Sequence, residues 1–128
     1  MSIYIAGPMT GYPEFNYPAF NDAGRALRDA GFDTLNPVDS EDENPTPGIP
    51  QPWEWYMRRA LLMVLAADCV AMLPGWEKSR GASLEVHVAR ALGLDCRPLD
   101  VWLYPPDVRT LDTTELAETL RAIEDGRS

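Results

Sequence analysis

Residues 69–75 read CVAMLPG, and this stretch decides the fold. The five residues before the proline are apolar without alternation, which is typical of a strand covered on both faces, as in the centre of a parallel sheet. Pro74 and Gly75 then end the strand with a turn. The stretch therefore predicts a central parallel strand.

The segments on either side alternate between strand and helix patterns. Strands are predicted at residues 3–6, 32–38, 69–73 and within 96–104. Helices are predicted at residues 17–30, at 53–67, from 79 or 80 to 92–93, and from 112 to the C-terminal region. This alternation predicts an α/β fold: one Rossmann-like domain over residues 1–128, with a four- or five-stranded, mainly parallel sheet and helices on both faces. Its core spans about residues 3–95, followed by a strand and a helix in 96–125.

Residues 39–52 interrupt the pattern. The acidic run SEDEN occupies positions 40–44, and prolines follow at 45, 47, 50 and 52. This composition argues against regular structure, and a long loop in a compact domain is usually a functional lid or disordered. We therefore expect residues 40–52 to be mobile without ligand.

Charge and composition narrow the classes of partner. The net charge of −9, from 20 acidic and 11 basic residues, argues against a nucleic-acid polymer but allows a small anionic ligand at a local site. No apolar run approaches the ~18 residues of a membrane span. One histidine and two cysteines, Cys69 and Cys96, predict neither a metal nor a cofactor, and we expect both thiols to be buried and reduced.

Ligands of such sheets bind beyond the carboxyl ends of the strands, here residues 7–11 (GPMTG) and 74–76 (PGW). Glu85 lies on the helix that follows. Its neighbours at three and four positions are small or apolar, namely Gly81, Ala82, Val88 and Ala89. This pattern indicates a partly desolvated carboxyl group, although an exposed glutamate near a helix start is equally compatible with it.

Residues 79–83 (SRGAS) open the same helix. Free amides, serine hydroxyls and Arg80 could hold an anion there, although an ordinary helix cap has the same sequence. From the helix start to Glu85 is about 6–9 Å at ~1.5 Å per residue, comparable to the reach from a nucleotide's 5′-phosphate to its anomeric carbon. Tyr4, in the first strand, is either a core aromatic or a hydrogen-bonding group of the site.

Several motifs together resemble a known family. They are YIAGPMTG at 4–11, LPGWEKSRGA at 73–82, Leu84-Glu85 and ARALG at 89–93. These motifs resemble a family of small, often phage-encoded domains in the nucleoside 2-deoxyribosyltransferase-like superfamily, which also contains the 2′-deoxynucleoside 5′-monophosphate N-glycosidases. The resemblance covers about residues 3–95.

The resemblance implies specific roles. Glu85 matches the nucleophile, and Tyr4 matches the tyrosine that orients it. Ser79 and the backbone of Gly81 match the phosphate-holding loop. Gly7 and the turn after it match the loop around the sugar phosphate, although Thr10 stands where those hydrolases carry an arginine. The full set of expected substrate-binding residues is Gly7, Met9, Thr10, Gly75, Trp76, Ser79, Arg80 and Gly81.

One catalytic position departs from the pattern. Ala60 stands where the superfamily usually has an aspartate implicated in handling the leaving base. Natural loss of activity, an altered substrate and an engineered change all remain open.

The resemblance implies an N-glycosidase that hydrolyses the base–sugar bond of a 2′-deoxynucleoside 5′-monophosphate. Its alternatives are a nucleoside 2-deoxyribosyltransferase and a nucleotide-binding protein without turnover. It also implies a homodimer or higher homo-oligomer, located in the cytoplasm, or in the host's cytoplasm if the gene is carried by a phage.

Overall fold

The computed structural model of the chain describes residues 1–105. Four strands form one sheet: β1 (Ser2–Ala6), β2 (Asp33–Leu35), β3 (Cys69–Met72) and β4 (Asp95–Pro98). Their order is β2-β1-β3-β4, and every neighbouring pair is parallel. The predicted Rossmann-type α/β fold is confirmed, with four strands among the described residues.

Four helices cover the sheet: α1 (Tyr17–Asp29), α2 (Trp53–Ala66), α3 (Arg80–Ala91) and α4 (Leu99–Leu103). Successive side chains of a strand point to opposite faces. Ile3 and Ile5 therefore belong to the core under α1 and α4, whereas Tyr4 and Ala6 belong to the core under α2 and α3. The first three helices match their predicted positions to within about two residues, the usual uncertainty of helix ends.

The centre of the sheet is the pair β1 and β3, in the register Tyr4 to Val70 and Ala6 to Met72. The chain leaves β1 toward β2 on one side and returns to β3 on the other. Between β1 and β3 the direction of winding reverses, and such a reversal opens a crevice at the carboxyl ends. Gly7 allows the two ends to approach, since a Cβ atom there would lie 2.8 Å from the Cβ of Leu73.

Two predictions were partly wrong: the strand at residues 32–38 and the irregular loop that follows it. β2 is only Asp33–Leu35, and a 3-10 helix occupies Pro37–Glu43. The Asn36 side chain accepts a hydrogen bond from the Val38 amide at 3.1 Å and caps this helix. Proline favours the first turn of a helix, so Pro37 can begin this 3-10 helix, and the acidic residues 41–43 belong to it.

The strand predicted within 96–104 was also wrong in extent. β4 ends at Pro98, and α4 begins at Leu99. Leu99, Trp102 and Leu103 pack against the core under α1, which is the spacing of a helix face. The Trp102 indole donates a hydrogen bond to the Val70 carbonyl at 2.9 Å. The helix predicted from residue 112 lies outside the described residues.

Smaller differences concern exposure. Cys69 is buried as predicted, but Cys96 is only half-buried on the edge strand, and both thiols are free. Among the helices of residues 1–105, none combines the length and apolar character needed to cross a membrane.

Candidate functional site

A cavity of about 980 Å³ opens at the carboxyl ends of β1 and β3. Its walls come from the turn after β1, the 3-10 helix after β2, α2, and the start of α3. Most of the predicted site residues line it: Gly7, Met9, Thr10, Ala60, Gly75, Ser79, Arg80, Gly81 and Glu85. The structure therefore brings together residues from four separate parts of the chain.

Glu85 lies in the cavity wall on the face of α3 that packs toward the sheet. Only 7% of its surface is exposed, as its small and apolar neighbours predicted. Burial raises the pKa of the Glu85 carboxyl to about 8, and the interaction with Tyr4 offsets only part of that rise. The missing side chain at Gly81 lets α2 approach closely here, since a Cβ atom at that position would lie 3.1 Å from the Met57 sulfur.

Tyr4 lies in β1, fully buried, and does not itself line the cavity. Its hydroxyl group completes no hydrogen bond of normal geometry within residues 1–105. Burial, and after it the nearby Glu85 carboxyl, raises the pKa of Tyr4 well above its ordinary value. An unpaired buried hydroxyl beside a buried carboxyl is costly, and such groups concentrate at functional sites.

The start of α3 presents open amides to the cavity. The Ser79 hydroxyl caps the helix by accepting from the Ala82 amide at 3.2 Å, and the Ser83 amide donates to the Ser79 carbonyl at 2.9 Å. The first amides of a helix have no partner within it, so those of Arg80 and Gly81 remain open among the described residues.

The side chains of this segment divide between the cavity and the surrounding structure. The Arg80 guanidinium stacks on the Trp53 ring, 3.8 Å from its centroid, and both residues line the cavity. The Ser83 hydroxyl, in contrast, donates to the carbonyls of Trp76 and Glu77.

Trp76 was predicted to bind substrate, and the structure does not bring it to the cavity. Its side chain packs against the core under α2 and α3 instead, with the Arg90 guanidinium 5.4 Å from the ring centroid. The adjacent Gly75 does line the cavity, and its left-handed backbone (φ 87°) turns the chain there. Trp76 is then the first residue of a short 3-10 helix, Trp76–Lys78.

The sequence analysis missed the wall that faces the start of α3. Glu41, Gln51 and Tyr56 line the cavity there, together with Tyr17 at the start of α1. Tyr56 donates a hydrogen bond to Glu41 Oε2 at 3.0 Å. Burial, then the charge of Glu41, raises the pKa of Tyr17. Residues 37–43 lie just beyond the carboxyl end of β2, where ligands of such sheets bind, and this position could have identified Glu41 from the sequence.

The side chain of Asn44 connects the residues of this wall by hydrogen bonds. Asn44 is 5% exposed, and its Nδ2 atom donates to Glu41 Oε1 at 2.6 Å and to the Ile49 carbonyl at 3.0 Å. Its Oδ1 atom accepts from the Thr46 amide and from Gln51 Nε2, each at 2.9 Å. Residues 41–51 are thus cross-linked through one side chain. Their expected mobility without ligand stays a prediction.

Residues 1–97 match a family described as "Domain of unknown function (DUF4406)". The chain belongs to this family. A search of curated proteins finds no match. Among solved structures, the DUF4406 chain is similar to "2-desoxiribosyltransferase from Leishmania mexicana", with 18% sequence identity and a TM-score of 0.55 over 94% of this chain and 97% of that one. The similarity shows a deoxyribosyltransferase-like fold.

Ala60 lies in this DUF4406 domain on α2, 4% exposed, and lines the cavity. The residues around it on the same helix face, Met57 and Val64, are also buried. Within residues 1–105, Glu41 and Glu85 are the carboxylates that line the cavity. The position at which the resemblance implies an aspartate therefore lies at the cavity wall and carries no acid.

Proposed function

We propose that this protein hydrolyses the base–sugar bond of a 2′-deoxynucleoside 5′-monophosphate, with Glu85 as the nucleophile. The observation that supports this most is the buried Glu85 carboxyl in the wall of a large cavity, beside the unpaired Tyr4 hydroxyl. Reactive groups are commonly found where burial shifts a pKa inside a cleft.

The spacing along α3 suits a sugar phosphate. The open amides of Arg80 and Gly81 and the positive end of the helix dipole favour a phosphate. From Arg80 to Glu85 the helix rises about 7.5 Å at ~1.5 Å per residue. A phosphate at the helix start would then place the anomeric carbon of the attached deoxyribose near the Glu85 carboxylate. Lys78, which also lines the cavity, adds positive charge at this end.

The proposed reaction has two steps. A Glu85 oxygen attacks C1′, and the bond from C1′ to the base nitrogen breaks with its electron pair going to the base, which takes a proton from water. A second water then attacks C1′ and gives a proton to the hydroxide left by the first, which frees Glu85 as a carboxylate and releases 2-deoxyribose 5-phosphate. Because only the ionised carboxylate can attack, the Tyr4 hydroxyl would act as a positioning residue that donates a hydrogen bond to it.

The test is release of free base from a panel of deoxynucleoside monophosphates, followed by chromatography. Glu85→Gln should abolish release, because an amide is a far weaker nucleophile of nearly the same shape, while monophosphate binding survives. Glu77→Gln is the matched control, since Glu77 is exposed and outside the cavity. A Glu85→Gln protein that releases base at the native rate would exclude Glu85 as the nucleophile.

A deoxyribosyltransferase is the second candidate, supported by the similarity in fold to the 2-desoxiribosyltransferase from Leishmania mexicana. The same assay distinguishes it when free nucleosides and a second base are added, because a transferase then forms a new nucleoside. Monophosphates should bind more tightly than nucleosides if the start of α3 holds phosphate. Equal affinity for the two would favour the transferase.

A further inference from the structure

The carboxylate of Glu41 lines the cavity and has acceptor sites that the protein leaves unused. Each oxygen already accepts one hydrogen bond, Oε1 from Asn44 Nδ2 at 2.6 Å and Oε2 from Tyr56 at 3.0 Å. Both neighbours donate, so Glu41 acts here as an acceptor. A carboxylate has about four lone-pair sites. Each oxygen therefore keeps one further acceptor site, which a ligand in the cavity can use.

The charges of the cavity orient a nucleotide within it. The cationic lining residues, Lys78 and Arg80, lie at the start of α3, which follows β3. Glu41 lies in the 3-10 helix that follows β2, and β1 runs between those two strands. A phosphate is attracted to the first end and repelled from the second. A nucleotide held by its phosphate at α3 therefore extends its base across the end of β1, toward Glu41.

We propose that Glu41 recognises the base through hydrogen bonds and selects guanine. This inference rests on the proposed function for the identity of the substrate. Guanine presents two neighbouring donors, N1–H and N2–H, which match the two free positions as a parallel pair. Adenine and cytosine place a ring-nitrogen acceptor beside their amino group, and thymine flanks its single N–H with carbonyls. With adenine, cytosine or thymine, an acceptor atom of the base would therefore face the carboxylate and be repelled by it.

The surroundings of Glu41 suit a flat aromatic ligand. Tyr17 and Tyr56 line the cavity and lie near Glu41, while Trp53 lines it beside Arg80. Aromatic rings stack on every base, so these rings add affinity without discriminating between bases. The carboxylate selects among the bases, and the hydrogen bond from Asn44 fixes its position before a ligand binds. A preorganised acceptor of this kind discriminates better than a free side chain.

The test is calorimetric binding of dGMP, dIMP, dAMP, dCMP and dTMP to the Glu85→Gln protein, in which the proposed turnover is blocked. dIMP keeps N1–H but lacks the amino group, so it isolates one of the two hydrogen bonds. We expect dGMP to bind roughly tenfold more tightly than dIMP, and more tightly still than the other three. Equal affinity for dGMP and dIMP, or tighter binding of any other base, overturns the proposal.

A second arm changes the protein. Glu41→Gln, added to the same protein, should remove the preference for dGMP over dIMP. Glu43→Gln is the control: its side chain is 68% exposed, pairs with Arg59 and lies outside the cavity. An unchanged dGMP preference in Glu41→Gln contradicts the role of Glu41. If guanine is preferred but native protein releases no base, the proposed function fails and the binding inference stands.

Discussion

Substitution of Ala60 alone can test what the missing carboxylate would contribute to the reaction. Ala60 is 4% exposed in the cavity wall, so an aspartate there would be desolvated and would stay protonated near neutral pH. Such a group can donate a proton to a leaving base. We expect Ala60→Asp to accelerate base release by about 10²–10⁴-fold, measured as the initial rate of base formation from the best monophosphate.

Ala60→Asn is the control for shape, because it has nearly the same volume but no transferable acid proton. Equal acceleration by both variants would show that the new side chain acts by packing. If neither native protein nor Ala60→Asp releases base from any nucleotide while monophosphate still binds, the protein is a nucleotide-binding domain without turnover.

Single residues were predictable where their own helix decides their surroundings. The burial of Glu85 followed from the small side chains three and four positions away, and the structure confirms that burial. The proximity of Tyr4 to Glu85 depends on how α3 packs on β1, which the sequence pattern does not specify. The position of Trp76 depends in a similar way on tertiary packing, because its side chain packs against the core under α2 and α3.

At the scale of elements, helices with a long apolar periodicity and the buried strand β3 were predictable. Residues 37–43 and 99–103 were not, because both are short and their conformation depends on tertiary contacts. The first is capped by Asn36 and packs on α2, and the second packs on α1 through Trp102. The Glu41 side of the cavity was missed with the first of these elements.

Asn44 should decide whether residues 41–51 hold their shape. Removing a buried side chain that satisfies several partners leaves those partners unpaired, at a cost of about 1–3 kcal/mol for each polar group that stays buried. We expect Asn44→Ala to lower the free energy of unfolding by about that amount and to weaken dGMP binding. Urea denaturation measures the first effect, and calorimetry the second.

Asp42→Ala is the matched control, since Asp42 lies in the same turn and is exposed. Hydrogen exchange in residues 44–51 should become faster in Asn44→Ala only. If exchange there is already unprotected in the native protein, the cross-links through Asn44 do not hold the segment, and its predicted mobility without ligand is supported.

At the scale of the whole molecule, Glu85 couples folding to pH. Its pKa is about 8 in the folded protein because of burial, against about 4.3 for an ordinary glutamate in an unfolded chain. Between these values the folded state holds a proton that the unfolded state has lost. Stability from this group is therefore complete below pH ~4 and falls as pH rises toward ~8, by at most about 1.4 kcal/mol per pH unit.

The native protein and Glu85→Gln, which cannot titrate at this position, should accordingly diverge as pH increases. Urea denaturation at about pH 5, 6, 7 and 8, steps that cover the window between the two pKa values, would measure the difference in unfolding free energy between them. We expect native protein to lose stability relative to Glu85→Gln at each step, because the contributions of all other groups are shared and cancel in the difference. A difference that stays constant with pH would show that Glu85 ionises in the folded protein as readily as it does in water. The carboxyl would then be already available for attack at neutral pH, and burial could not be the source of its special environment.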